Sequence, residues 1–164
     1  MDVIRDAGAQ DLVAVVEIYN SAIPGRLATA DTEAVSLESR LEWFWEHSPD
    51  RHPLWVFQRD GAVAGWLSLG PFYGRPAYAA TSEVSVYVAS RFYRQGIGAA
   101  LLGRAAERAP SLGLRTLMGF IFSHNMPSLS LFLGQGFQQW GHLPEVAEMD
   151  GVCRDVLILG RHVP

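Results

Sequence analysis

The chain has no lysine: its 13 basic residues are all arginines, and 17 acidic residues leave a net charge of −4 over 164 residues. A mildly acidic chain argues against a nucleic-acid-binding protein, because such domains usually present a strongly basic surface. The absence of lysine also excludes a phosphate-binding loop that ends in Gly-Lys-Ser/Thr. No apolar run approaches about 18 residues, so no membrane-spanning segment is expected.

Cysteine is almost absent as well. The single Cys153 permits no internal disulfide, which fits a reducing cytoplasm. The segment Met1 to Asp6 lacks the basic and then apolar layout of a secretion signal, so a cytoplasmic location is expected. The five histidines show no metal-ligand spacing, and there is no Gly-x-Ser-x-Gly elbow of a serine hydrolase. We therefore expect neither a metal site nor serine-hydrolase chemistry.

The apolar pattern predicts one domain over residues 1–164 of the α/β (α+β mixed) class, in which helices cover a mixed sheet. Apolar residues make up 49% of the chain, and no repeat or interdomain linker interrupts them. Asp60-Gly61 predicts a two-residue hairpin, and Ser36 is expected to cap the second helix. The apolar stripe of that helix is predicted to be Leu37, Leu41, Phe44 and Trp45. The predicted strands are 3–5, 54–59, 63–69, 81–89, 115–122, 137 onward and 152–159, and the predicted helices are 11–20, 36 onward, 98–112 and 128–135.

A glycine-bearing turn between a strand and a helix is the most informative segment. The strand-like run Ser85-Val86-Tyr87-Val88 is followed by Tyr93-Arg94-Gln95-Gly96-Ile97-Gly98 and then by helical periodicity. The first N–H groups of a helix attract phosphate, and Arg91 and Arg94 stand beside this turn. A dinucleotide fingerprint is excluded, because Leu101 occupies the place of its third glycine. Gly-x-Gly alone remains compatible with a purely structural turn.

Motifs over nearly the whole chain resemble one family. Val86-Tyr87-Val88, the glycine turn and the helix after it resemble the acetyl-CoA motif Arg/Gln-x-x-Gly-x-Gly/Ala of the GNAT N-acetyltransferases. Further segments resemble its phosphinothricin N-acetyltransferase group: Ile18-Tyr19-Asn20, Pro71-Phe72, Arg75-Pro76-Ala77-Tyr78, Glu83, Asn125-x-x-Ser128-x-x-Leu131, Gly136-Phe137, Asp150-Gly151 and Asp155. Two positions depart from the pattern. Tyr93 replaces the usual Arg or Gln, and Tyr73 replaces an arginine of some members.

The resemblance implies a fold, an activity and a set of site residues. The implied fold is a GNAT-like central sheet, mixed, mostly antiparallel and twisted, with helices on both faces, in a homodimer. The implied activity is transfer of an acetyl group from acetyl-CoA to a small-molecule amine, namely an amino acid or an analogue such as phosphinothricin, methionine sulfone or methionine sulfoximine. The implied acceptor-binding residues are Arg75 and Tyr78. The implied acetyl-CoA-binding residues are Val86, Tyr87, Val88, Arg91, Arg94, Gln95, Gly96, Ile97, Gly98, Ala99, Asn125 and Ser128.

Glu83 is the candidate general base of this reaction. An alkyl ammonium has a pKa of about 10, so direct attack of the amine on a thioester requires a proton acceptor. Strand alternation places Glu83, Ser85 and Tyr87 on one face. The alternative is a glutamate at a strand edge paired with an arginine. Phe132 stands where many members carry a tyrosine acid, so the thiolate leaves without a dedicated acid or another hydroxyl serves.

Other interpretations stay open at this stage. Asn125 is either an ordinary helix cap or a cofactor ligand, and Arg75 is either a ligand for a substrate acid group or a surface or dimer-interface arginine. Trp43 and Trp45 are expected to make core or dimer contacts. The alternative acceptors are a polyamine, an antibiotic amine and a protein N-terminus. A non-catalytic acyl-CoA-binding module is the alternative from another class.

Overall fold

The computed structural model describes residues 1–164 and contains seven strands and four α-helices. Their order along the chain is β1 (Asp2–Asp6), α1 (Leu12–Ala22), α2 (Leu37–Trp45), β2 (Leu54–Arg59), β3 (Ala62–Pro71), β4 (Thr81–Val88), α3 (Ile97–Arg108), β5 (Thr116–Phe122), α4 (Met126–Gly134), β6 (Gln138–Met149) and β7 (Val152–His162). This is the predicted order. The helix predicted to end at Leu112 ends at Arg108, because Pro110 follows and lacks the N–H that a helix needs. No helix is long and apolar enough to cross a membrane.

Two local predictions are confirmed by backbone geometry. Asp60 and Gly61 both have positive φ, 50° and 82°, as the two central residues of a tight hairpin between β2 and β3 require. The Ser36 hydroxyl accepts a hydrogen bond from the Ser39 N–H at 3.1 Å, so Ser36 caps α2. Local turn and cap chemistry therefore sets where these elements begin and end.

The apolar stripe predicted for α2 is wrong. Only Phe44 of the four residues is buried, whereas Leu37, Leu41 and Trp45 are 43%, 44% and 67% exposed. Helix α2 meets the rest of the molecule along a line shifted toward Phe44 and the partly buried Trp43. The exposed residues leave an uncovered apolar face on α2.

All neighbouring strands are antiparallel except β4 and β5, in the sheet order β1-β2-β3-β4-β5-β7-β6. The parallel pairing of β4 with β5 spans only three residue pairs and ends at Glu83 and Met118. Beyond it, β4 remains paired with β3 as far as Val88, and β5 remains paired with β7 as far as Phe122. The two strands therefore diverge after Glu83, and each has an unpaired edge facing the gap.

The core lies in two layers, one on each face of the sheet. Helices α3 and α4 cover the larger layer, to which Val84 of β4 belongs. Helices α1 and α2 cover the smaller layer, against which Tyr87 of β4 packs. The mixed, mostly antiparallel sheet with helices on both faces is thus confirmed, and so is the alternation predicted for β4.

Candidate active site

The gap between β4 and β5 opens into a cleft of about 440 Å³. Its walls come from β4, from the start of α3 and from α4. All the residues predicted to bind acetyl-CoA line it, except Arg91 and Gln95. It is also lined by residues that the sequence did not single out for this role: Ala22, Leu27, Ala28, Phe92, Tyr93, Pro127 and Leu131.

Helix α3 presents free backbone amides to this cleft. Gly96 caps the helix with φ 81°, a left-handed conformation that glycine adopts without strain. The N–H of Ala100 makes the first helical hydrogen bond, to the Gly96 carbonyl at 3.0 Å. The amides of Ile97, Gly98 and Ala99 therefore have no partner within the helix, and no acidic residue lies in the first turn. This end of α3 can bind an anion.

Gly98 also permits the close approach of two helices. A Cβ built on Gly98 would lie 2.8 Å from Cδ2 of Leu131 in α4. That contact is closer than two carbons tolerate, so Leu131 would have to move. A side chain at position 98 would therefore meet Leu131 of α4 as well as any ligand in the cleft.

Arg91 and Gln95 brace the turn from outside the cleft. The Gln95 Oε1 accepts from Nη1 of Arg59 at 2.6 Å, and its Nε2 donates to the Arg91 carbonyl at 3.3 Å. The Arg91 guanidinium lies 4.9 Å from the centre of the Phe92 ring. Neither guanidinium has a protein acceptor, but only Arg94 lines the cleft. Of the two arginines beside the turn, Arg94 is the one placed to meet a bound anion.

A chain segment far away in sequence, residues 26–31, reaches the cleft, and its Leu27 and Ala28 line it; we call it the cover segment. The Tyr87 hydroxyl donates to the Ala28 carbonyl at 3.1 Å, and the Asn125 Nδ2 donates to the Leu27 carbonyl at 3.0 Å. The Asn125 Oδ1 accepts from the Ser128 N–H at 3.2 Å. Asn125 is thus a helix cap and a tether of the cover segment, and both ends of its amide are already in use.

Glu83 lies where β4 and β5 part, half-buried and without any ion pair or side-chain hydrogen bond. The strand-edge ion pair considered as its alternative is absent. Burial raises the pKa of its carboxyl group above the ordinary value. Glu83 borders both the gap and a cavity of about 200 Å³ on the α2 side, which Glu46, His47 and His52 also line. The carboxylate is free to exchange a proton with a molecule in that cavity.

Arg75 and Tyr78 lie one cavity farther along the same surface. Both are exposed and line a cavity of about 270 Å³, which adjoins the Glu83 cavity at His52 and Pro71. The structure therefore brings them beside the cavity of Glu83 but not into it. A ligand would have to extend across both cavities to meet Glu83 and Arg75 together.

The remaining predicted residues have mainly packing roles. Trp43 packs edge-on against Trp66 at 5.6 Å between ring centres, whereas Trp45 is exposed. Phe132 is buried against Phe137, so no tyrosine hydroxyl stands at that place. No group of three or more His, Cys, Asp or Glu side chains is arranged to hold a metal ion.

Comparison with known proteins identifies the family to which this fold and cleft belong. Residues 12–137 match the model of the acetyltransferase (GNAT) family. The chain belongs to this family and is an acetyltransferase.

Two curated relatives and one solved structure are similar over nearly the full length. The Bacillus subtilis protein YwnH, provisionally named a phosphinothricin acetyltransferase, is 52% identical over 98% of each chain. The L-methionine sulfoximine/L-methionine sulfone acetyltransferase of Pseudomonas aeruginosa is 32% identical over 95% of this chain and 91% of its own. The crystal structure of a phosphinothricin acetyltransferase from Sinorhizobium meliloti in complex with acetyl-CoA is 28% identical, with a TM-score of 0.93 over 99% of this chain and 88% of that one.

Proposed function

We propose that this enzyme transfers the acetyl group of acetyl-CoA to the primary amine of a small amino acid or analogue of the phosphinothricin, methionine sulfone or methionine sulfoximine type. Relatives named for these activities align over almost the whole chain. A cytoplasmic location is part of the proposal, and the free, exposed Cys153 is compatible with it.

The cleft has the chemistry that acetyl-CoA requires. The free amides at the start of α3 and the guanidinium of Arg94 suit its pyrophosphate. The unpaired edge of β4 from Val86 to Val88 suits the amides of its pantetheine arm, which would pair with it like an added strand. When bound, acetyl-CoA supplies the acetyl group as an activated thioester. The gap between β4 and β5 then leads from this cleft to Glu83.

Glu83 is the proposed proton acceptor, and its placement is the observation that carries the proposal. Its carboxyl is half-buried and has no ion-pair partner. It lies where the gap between β4 and β5 meets the cavity on the α2 side. The raised pKa of the carboxyl makes it a better base toward an ammonium group. It accepts the proton directly or through a water. The free amine then attacks the thioester carbonyl, the C–S bond breaks, and CoA leaves as the thiolate without a covalent enzyme intermediate.

Arg75 is the proposed partner of the acceptor's acid group, and Tyr78 lines the same cavity. A guanidinium binds a carboxylate through two parallel hydrogen bonds. In an α-amino acid the amine and the acid group are attached to the same carbon, so the acceptor would lie where the two cavities adjoin at His52 and Pro71, with its amine toward Glu83 and its acid group toward Arg75. The homodimer stays a prediction, for which the uncovered apolar face of α2 offers a surface.

The decisive experiment measures thiol release from acetyl-CoA against a panel of amines. The panel contains methionine sulfone, methionine sulfoximine, phosphinothricin, spermidine, an aminoglycoside and a peptide with a free N-terminus. We expect turnover with the first three, identified as N-acetyl products by mass spectrometry, and none above background with the others. Preference for an amine without an acid group would instead support the polyamine or antibiotic alternative.

A further inference from the structure

A further cavity, which we call the aromatic pocket, lies beside the Glu83 cavity on the α1/α2 face of the sheet. It measures about 160 Å³. Its aromatic walls are Tyr19, Trp43, Trp66 and Tyr87. Trp43, Ser68 and Ser85 line both this pocket and the Glu83 cavity. The two spaces adjoin at these residues, and Arg75 lies beyond the opposite end of the Glu83 cavity.

Two hydroxyl groups at the junction lack a protein partner. Ser68 and Ser85 face each other in the register of β3 and β4, and neither side chain makes a hydrogen bond within the protein. Ser68 is nevertheless only 7% exposed. The Ser68 hydroxyl is not among the fully buried atoms without a partner, so its oxygen is reachable from the cavity and can hydrogen-bond a molecule bound there.

Arg40 adds a cation with unused donors. Its guanidinium lies 4.7 Å from the centre of the Tyr19 ring and 5.6 Å from that of Trp43. Its sole hydrogen bond within the protein runs from Nη2 to Asp31 at 3.3 Å, although a guanidinium has five N–H donors. Asp31 is held in turn by the Tyr19 hydroxyl. Stacking and the ion pair fix the guanidinium at the wall of the pocket while most of its donors remain free.

We propose that the aromatic pocket binds the side chain of the acceptor, and that Arg40 and Ser68 select side chains ending in an oxygen-bearing sulfur or phosphorus group. The assignment rests on the proposed function, which places the acceptor amine at Glu83. With the acid group toward Arg75, the side chain extends the other way, past Ser85 and into the pocket.

The size and chemistry of the pocket define the ligand class. A volume of about 160 Å³ corresponds to about five water molecules, and so to a side chain of about that many non-hydrogen atoms. The methyl group of a sulfone or phosphinate would contact the aromatic rings. The sulfone or phosphinate oxygens would accept hydrogen bonds from Arg40 and Ser68. A thioether of the same length offers no acceptor of comparable strength. It would leave the donors of Arg40 and Ser68 unpaired, which lowers its affinity for the pocket.

The test compares methionine sulfone with methionine as acceptors in the full-length enzyme. For Arg40→Met we expect the ratio of kcat/KM between sulfone and thioether to fall about 10- to 100-fold, because hydrogen bonds from a charged group are lost. Asp31→Asn is the matched control, since it breaks the ion pair and keeps the guanidinium. We expect it to retain most of the ratio; an equal fall in both variants would reduce Arg40 to a structural role and overturn the proposal.

A binding measurement keeps the proposal testable if Arg40→Met folds poorly. Trp43 and Trp66 line the pocket, so their fluorescence should change when methionine sulfone binds in the presence of CoA. We expect Ser68→Ala to weaken the binding of methionine sulfone several-fold and to leave the binding of methionine nearly unchanged. If Arg40→Met and Ser68→Ala both keep the wild-type preference for methionine sulfone over methionine, while wild type still acetylates amino acids, the side-chain assignment alone is rejected. Absence of any amino-acid acetylation by wild type would reject the proposed function itself.

Discussion

Replacing Glu83 with glutamine removes the proposed base while leaving nearly the same shape in β4. Removal of a general base lowers kcat by about 10²- to 10⁴-fold, which corresponds to about 3–5 kcal/mol of transition-state stabilisation. The affinity for acetyl-CoA should hold, because Glu83 does not line the cleft beside α3. Glu46→Gln is the matched control: it removes the same charge from the same cavity, and we expect it to change kcat by less than threefold.

The same substitution should change the pH dependence of the rate. Burial raises the pKa of Glu83, so the acidic limb of the wild-type profile should lie above the ordinary glutamate value of about 4.3. Below that limb the carboxyl is protonated and accepts no proton from the ammonium. The limb should therefore be absent in Glu83→Gln. The profile is measured by thiol release at saturating acetyl-CoA with the best acceptor.

Thermal stability supplies an independent check with a defined sign. The pKa of Glu83 is higher in the folded chain than in the unfolded one, so any stability it contributes is fully present below the unfolded pKa. That contribution is lost as the pH rises through the pKa of the folded state, because the carboxyl group then ionises in a half-buried site without a partner. Glu83→Gln should consequently melt at a higher temperature than wild type at pH 8, and the difference should shrink toward pH 4. Near-normal kcat in the variant together with an unchanged pH profile would refute the reasoning and direct the search to Tyr87 or an ordered water.

Three other substitutions test the rest of the site. Gly98→Val should weaken acetyl-CoA binding about tenfold, because a branched side chain would obstruct the approach of the pyrophosphate to the free amides of α3. Its Cβ would also lie 2.8 Å from Leu131, so calorimetry of Gly98→Val in a Leu131→Ala background separates the helix contact from the ligand contact; unchanged affinity in a folded variant would contradict the assignment. Arg75→Ala should raise KM about tenfold for an acidic acceptor and spare that for acetyl-CoA, as expected for one lost charge-assisted contact; equal KM values for wild type and variant would contradict its assignment. Asn125→Ala should destabilise the fold by about 1 kcal/mol, or about 2–4 °C in melting temperature, because α4 loses its cap. An unchanged melting curve would show that the cap contributes nothing measurable.

Local chemistry made much of this fold predictable from the sequence. The Asp60-Gly61 hairpin, the Ser36 cap and the alternation of β4 depend on interactions within a few residues, and all three are confirmed. The order of elements follows from the same short-range patterns. The glycine turn could be placed between β4 and α3 for this reason.

The rest depends on contacts between distant parts of the chain. Nothing near Leu27 and Ala28 indicates that their carbonyls meet Asn125 and Tyr87 across the cleft. Helical periodicity suggested that Trp45 lies against the core, but the position of α2 on the sheet left it exposed. Arg40 lay in an ordinary helical pattern, and only the assembled fold shows its guanidinium over two aromatic rings. Such placements are set by packing, which single-sequence patterns do not record.

The three-pair seam between β4 and β5 divides the sheet into two halves, one from β1 to β4 and the other from β5 to β7. A donor molecule lying in the gap would contact both halves and act as a clamp across the seam. Ligand at a hundred times its dissociation constant stabilises a folded protein by about 2.7 kcal/mol, or about 5–10 °C for a domain of this size. Amide hydrogens of residues 84–88 and 119–122 should then exchange more slowly with solvent. The lifetime of the folded enzyme in the cell would thus follow the supply of its own acetyl donor.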